Sequence, residues 1–155
     1  THLMLSDVDG EFKDFSVTIT ASKPDFSDAK FDLTVNTASV NTDVDMRDND
    51  LRSDHFFNVA KYPTMTFTST GITKTSENHY KLTGDLTLAG VTKPVTMDLW
   101  YQGTIINPMS KAPDAGFKLT GVIKRSDFGF ASGYGTSMLS DEIAINANGE
   151  FAKTN

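Results

Sequence analysis

A chain of 155 residues, 38% hydrophobic and 22% charged, has room for one domain, and is too polar to live in a membrane as helices and too apolar to stay disordered. Its 14 Lys and Arg against 20 Asp and Glu leave a net charge of −6 without any basic run, which argues against nucleic acid as a partner, because a polyanion needs clustered positive charge. Cysteine is absent, which removes disulfides, thiol nucleophiles and thiolate metal sites, and no stretch approaches the ~20 apolar residues of a transmembrane segment.

The chain opens abruptly. Thr1, His2, Leu3 and Met4 enter a strand-like pattern with no cap, turn or basic-then-apolar leader before them, so further residues are expected upstream. Phe15, Val17 and Ile19 then alternate with Ser16, Thr18 and Thr20, and Phe31, Leu33 and Val35 with Asp32, Thr34 and Asn36; a period of two reads as strands with one wet face. The spacing predicts a single helix over residues 43–53, capped by Thr42 or Asp43, with Val44, Arg47 and Leu51 on one face. It should lie over one opening of a sheet, followed by Phe56 and Phe57. Met65 and Phe67 begin the next strand, and Tyr80, Leu82, Leu86 and Leu88 mark another. Val95, Met97, Leu99 and Tyr101 follow, then Phe117, Leu119 and Ile123, and finally Ile143, Ile145 and Phe151. Turns are expected at 23–25, 70–71, 90–94, 107–108, 113–116 and 133–135, where Gly, Pro, Asn and Asp concentrate.

At least seven amphipathic antiparallel strands in one small domain must hide one face each, which leaves a sandwich or a closed barrel. A barrel of about eight strands is just wide enough to be filled by side chains or to hold one small ligand.

No motif points to catalysis or metal. His2, His55 and His79 have no second histidine three to five residues away, so metal ligation is not expected. The acidic stretch 43–54 fails the calcium-loop pattern, with Asp48 where Gly is needed and Asp54 where Glu is needed; it reads as a helix start, with Arg47 pairing a neighbouring carboxylate. The glycine-rich segment 129–137 lacks the lysine of a phosphate loop and the Gly-x-Ser-x-Gly of a nucleophile elbow. Arg125-Ser126-Asp127-Phe128-Gly129 is more specific and suggests a clamp at a barrel end, Arg125 and Asp127 being placed to bond one another.

Taken in order, several segments resemble the YceI-like family of bacterial polyisoprenoid-binding proteins. They are residues 10–15, 47–57, 61–67, 82–95, 125–129 and 140–143, which span nearly the whole chain. The chain departs from the family in starting after its usual first strand and in carrying Val17 where glycine is common. The resemblance implies one lipocalin-like, all-β antiparallel barrel domain over residues 1–155 that binds, stores or transports a long apolar isoprenoid lipid, a polyprenyl chain or an isoprenoid quinone, in its interior. It also implies a periplasmic or secreted protein with no metal, no catalytic residue and no further cofactor.

An isoprenoid tail makes no hydrogen bonds, so its site should be an apolar tunnel, and the six methionines suit a flexible chain. The expected lining is Met65, Phe67, Leu82, Leu86, Leu88, Val95, Met97, Leu99, Phe117, Leu119, Ile123, Phe128, Ile143 and Ile145, with Phe56 and Phe57 at the mouth. The same residues would also serve a solid core. The alternative function is a small barrel enzyme acting on a hydrophobic substrate, for which His55 and Asp127 are the candidate acid and base; a third is a solid module working through its surface. A missing first strand would leave an unpaired seam, closed by curling of its flanking strands or by a second copy as a homodimer.

Overall fold

The structure is a computed structural model in which residues 2–3, 6–7, 10–131 and 141–152 are described. The strands are β1 (His2–Leu3), β2 (Ser6–Asp7), β3 (Glu11–Phe12), β4 (Phe15–Thr20), β5 (Lys30–Asn36), β6 (Val40–Asn41), β7 (Thr64–Ser76), β8 (His79–Leu88), β9 (Val91–Ile106), β10 (Pro113–Lys124) and β11 (Glu142–Ala152), and the helix is α1 (Asp45–Arg52). Short 3-10 turns cover Thr37–Ser39 and Arg125–Phe128.

Seven strands form one sheet in the order β11-β10-β9-β8-β7-β5-β4, antiparallel throughout, while β1 pairs with β2 and β3 with β6. Each predicted alternation lands on a strand, because one face of every strand must be hidden. The sheet is strongly curled. Phe31 on β5 and Phe117 on β10 touch, ring centroids 5.7 Å apart at 90°, although four strand spacings of a flat sheet would part them by ~19 Å. The result is a lipocalin-like half-barrel whose concave face carries the core. Seven strands make it, and among the described residues no ladder joins the border strands β4 and β11.

Several expected turns are strand instead. β7 runs through Thr70 and Gly71 because a bulge between Ser69 and Gly71 absorbs the irregularity. The 90–94 turn shrinks to Ala89 and Gly90, and β9 resumes at Val91 with Pro94 inside it. Pro94 is tolerated because the β9–β10 ladder starts only at Asp98↔Thr120, so its missing N–H removes no bond on that side. β10 begins at Pro113, inside the turn expected at 113–116, and the expected 133–135 turn lies outside the described residues.

The helix is where it was expected, but its anchoring differs. Asp43 adopts φ 64°, and Val44, at the N-cap position, offers no side-chain bond. The carboxylate of Asp48 instead accepts from the Thr42 N–H (2.8 Å) and hydroxyl (2.5 Å), while Arg47 donates to the Thr42 hydroxyl (2.8 Å) and carbonyl (2.9 Å). Arg52 donates to the carbonyls of Ala38 and Val40. The helix is therefore tied down by polar bonds: Asp48 is buried, whereas Val44 of the expected apolar face is exposed.

Large and small residues interlock at the sheet's centre. The Phe67 ring lies over Gly84, where an added Cβ would meet the ring at 2.6 Å and the Thr68 carbonyl at 2.5 Å. Gly84→Ala should cost roughly 1–3 kcal/mol by overpacking, read as a lower midpoint in denaturant unfolding; an unchanged midpoint contradicts this packing.

Candidate ligand-binding interior

The concave face divides into a sealed middle and half-open borders. Phe67 of β7, Leu82, Leu86 and Leu88 of β8, Met97 and Leu99 of β9, and Phe117 and Ile123 of β10 are all buried, as is Phe128 in the turn after β10. Toward the two borders burial fades: Val17 and Ile19 on β4, Leu33 on β5, Leu119 on β10 and Ile143 and Ile145 on β11 pack against the core yet remain partly accessible. A central strand is flanked on both sides, but β4 and β11 have only one hydrogen-bonded neighbour each in the described sheet, so their inward side chains are covered from one side. Every residue expected to line the interior belongs to this cluster, Phe56, Phe57, Met65 and Val95 as partly buried members.

Both ends are stopped with aromatic rings. At the end carrying the β9–β10 hairpin, Phe26 of the loop after β4 packs on Tyr101 (4.9 Å) and Phe117 (5.0 Å), and Phe117 also meets Phe151 (5.9 Å). Phe26 is held in a left-handed conformation (φ 61°) by a loop in which the Tyr80 hydroxyl donates to the Asp25 carbonyl and Asp28 accepts from Ser22 and Lys23. At the helix end, Phe57 meets Phe12 (5.4 Å) and Phe130 (4.8 Å), and Phe56 meets Phe130 (6.0 Å). Arg125 sets this cap in place: its buried guanidinium donates to the carbonyls of Ala131 (2.9 Å) and Phe130 (3.4 Å). The expected end clamp thus grips backbone carbonyls, while Asp127 is exposed. Among the described residues, rings carried largely by loops thus pack together at both ends of the concave face.

Buried charge lies off the strands of the described chain. Among the described residues the buried polar or charged ones, tyrosine aside, are Thr37, Thr42, Asp48 and Arg125, none of them on a strand. Where β9 and β10 part company, a surface concavity of about 340 Å³ lies between Lys93, Lys124 and Asp127 and reaches Val95, Ile123 and Phe128. A second, of about 310 Å³, lies outside β4 and β5 beside Phe15 and Pro63. His55 is exposed beside Asp54 (3.9 Å), so His55 and Asp127 form no acid–base pair facing the interior. Among the described residues no cluster of His, Asp and Glu could hold a metal, and no helix is long and apolar enough to cross a membrane.

This architecture has relatives. The YceI-like domain model matches residues 1–151. Protein YceI of Salmonella newport is 41% identical over 148 residues, covering 96% of this chain and 76% of that protein. The chain belongs to the YceI-like family. The crystal structure of the Campylobacter jejuni YceI protein superposes on this YceI-like chain with a TM-score of 0.90 at 41% identity, covering 100% of this chain and 90% of that one. Burkholderia cenocepacia BcnA gives a TM-score of 0.79 at 26% identity over 90% of this chain and 84% of its own. A polyisoprenoid binding domain from Saccharophagus degradans, implicated in plant cell wall breakdown, shares the fold at TM-score 0.68 and 20% identity over 94% and 85% of the two chains.

Sequence reasoning missed the stoppers of this YceI-like interior: Phe12, Phe26 and Phe130. Phe12 sits in a two-residue strand, and Phe26 and Phe130 lie in loops where no periodicity exists to flag them. The only available signal was the abundance of phenylalanine, 11 residues against 4 Tyr and 1 Trp.

The loops that hold these stoppers depend on ionised carboxylates. Hydrogen bonds from Ser22 hold Asp28 down to about 2 from the usual 3.8; the Thr42 hydroxyl lowers Asp48, and Ser126 lowers Asp141. A folded pKa below the unfolded one adds stability that is complete above the unfolded value and is lost as pH falls through the folded one. The melting temperature should therefore hold steady from neutral pH to ~5 and drop below ~4, and Asp28→Asn should reduce that drop. An acid profile identical in the variant contradicts the assignment.

Proposed function

We propose that this protein binds a long, apolar isoprenoid lipid, a polyprenyl chain or the tail of an isoprenoid quinone, along its concave face and carries it through the periplasm or outside the cell. The observation that carries the proposal is the gradient of burial: an apolar surface that is sealed along β8 and at Phe67, Met97, Leu99, Phe117 and Ile123 beside it, and is half-open at Val17 and Ile19 of β4, Leu119 of β10 and Ile143 and Ile145 of β11. Hydrocarbon laid against the half-open rows removes their remaining apolar surface from water, at about 25 cal/mol per Å². A branched tail has no polar groups to satisfy, so the lack of polar partners costs it nothing.

The ring stoppers fit the same reading. Phe26 and Phe130 stand on loops rather than on the sheet, so they can swing while the ladder stays intact, and a chain can take the space they vacate. The concavity between β9 and β10 is rimmed by Lys93, Lys124 and Asp127, whose charges suit the polar end of such a lipid. The polyisoprenoid binding domain of Saccharophagus degradans supports the reading through its shared fold.

Organic extraction of protein purified from a bacterial host, followed by mass spectrometry, should yield a polyprenyl lipid or quinone. Leu119→Glu and Ile145→Glu put a charge on the half-open rows and should reduce retention of added polyprenyl alcohol on gel filtration by at least about tenfold with the fold kept by circular dichroism. An extract without apolar lipid, together with no retention of the added alcohol, overturns the proposal.

A further inference from the structure

The hairpin joining β9 to β10 presents the most exposed large apolar side chains of the sheet. Ile105 is 63% exposed, Ile106 62% and Met109 92%. Consecutive strand residues point to opposite faces, so the exposure of both Ile105 and Ile106 means that the hairpin's tip stands clear of the barrel on both sides. The tip is ordered by its own bonds. Asn107 donates its N–H to the Ala112 carbonyl (2.9 Å), and its side-chain oxygen accepts from the N–H groups of Met109 (2.8 Å) and Ser110 (3.2 Å). Its side-chain amide donates to Asp114 (2.9 Å), and the N–H of Lys111 donates to its carbonyl (2.8 Å). A turn built to this extent holds Met109 out in water, where an apolar side chain gains nothing unless a partner covers it.

We propose that this tip is a docking surface for an anionic phospholipid bilayer, with Ile105, Ile106 and Met109 entering the headgroup region and Lys111 facing the phosphates. Three observations select the bilayer. Lys111 is the only charged residue between 105 and 112, a local positive exception in a chain of net charge −6, and the nearby Asp114 already accepts from Asn107. One hairpin tip falls far short of the ~800 Å² per partner of a stable protein interface, whereas shallow insertion asks for only a few apolar side chains beside a cation. Finally, Ile105 pairs with Asp114, which pairs with Ala152 on β11, so the tip adjoins the border strand whose inward row is half-open. The inference rests on the lipid-carrier reading, since a water-insoluble lipid is collected from and delivered to a bilayer, and the tip would bring the open border to it.

The test is co-sedimentation with unilamellar vesicles of phosphatidylcholine alone or with added phosphatidylglycerol. The wild type should sediment with the phosphatidylglycerol vesicles, and less so as salt rises. The triple variant Ile105→Ser, Ile106→Ser, Met109→Ser should lose at least about tenfold in binding, with an unchanged melting curve and unchanged retention of polyprenyl alcohol. Lys111→Glu should weaken binding to the anionic vesicles and leave the weak binding to phosphatidylcholine as it was. Wild-type protein that ignores both vesicles, a folded triple variant that binds like wild type, or a dimer that the triple variant abolishes would each overturn the proposal. Wild-type protein that docks but yields no lipid on extraction and retains no added polyprenyl alcohol sustains the docking surface and removes the carrier reading alone.

Discussion

Alternation at a period of two loads one face of seven paired strands with apolar side chains, and that face must be hidden from water. The sheet meets this demand by curling until rings from β5 and β10 touch, yet its border strands share no ladder in the described chain. Curl protects the central strand β8 completely and the borders only by half. The partly exposed rows on β4 and β11, the dependence on loop-borne rings at both ends, and the concave face's fitness for hydrocarbon all descend from that single compromise.

The two ends solve the closing problem with different chemistry. At the hairpin end, one loop folds Phe26 inward and is fastened by Asp28 and the Tyr80 hydroxyl. At the helix end, a charged residue does the fastening: buried Arg125 holds the Phe130 turn by its carbonyls, and the Asp141 carboxylate accepts from Ser126 beside it. The helix adds little apolar burial of its own and is kept by Asp48, Arg47 and Arg52. Polar fastening of the ends and apolar continuity between them are spatially separate, so the interior offers an unbroken hydrocarbon surface while its stoppers sit on segments outside the ladder.

Strand positions were legible because burial of one face imposes a pattern that no other constraint disturbs: Leu82, Leu86 and Leu88 could be placed inward from spacing alone, and they are. Strand ends were less legible, because the turn residues Gly71, Pro94 and Pro113 also occur at bulges and at unpaired stretches of strand, where the same chemistry serves a different geometry. Family resemblance added what spacing lacks, the order of the segments around Arg125 and the helix. Phe12, Phe26 and Phe130 stayed hidden, since a ring on a loop packs by tertiary position and leaves no periodic trace. The helix cap failed for a local reason: Asp43 turns left-handed, and Thr42 is claimed by Asp48.

The claim at the centre of this account is that hydrocarbon is held along the half-open borders under the ring stoppers. Amide hydrogen exchange, measured with and without added polyprenyl alcohol, addresses it directly. Bound lipid should slow exchange in β4, β10 and β11 and alter it in the loops carrying Phe26 and Phe130, while β8, already sealed, changes least. Slowing confined to the outer concavity beside Phe15 and Pro63, with β11 and both stopper loops unchanged, would contradict it.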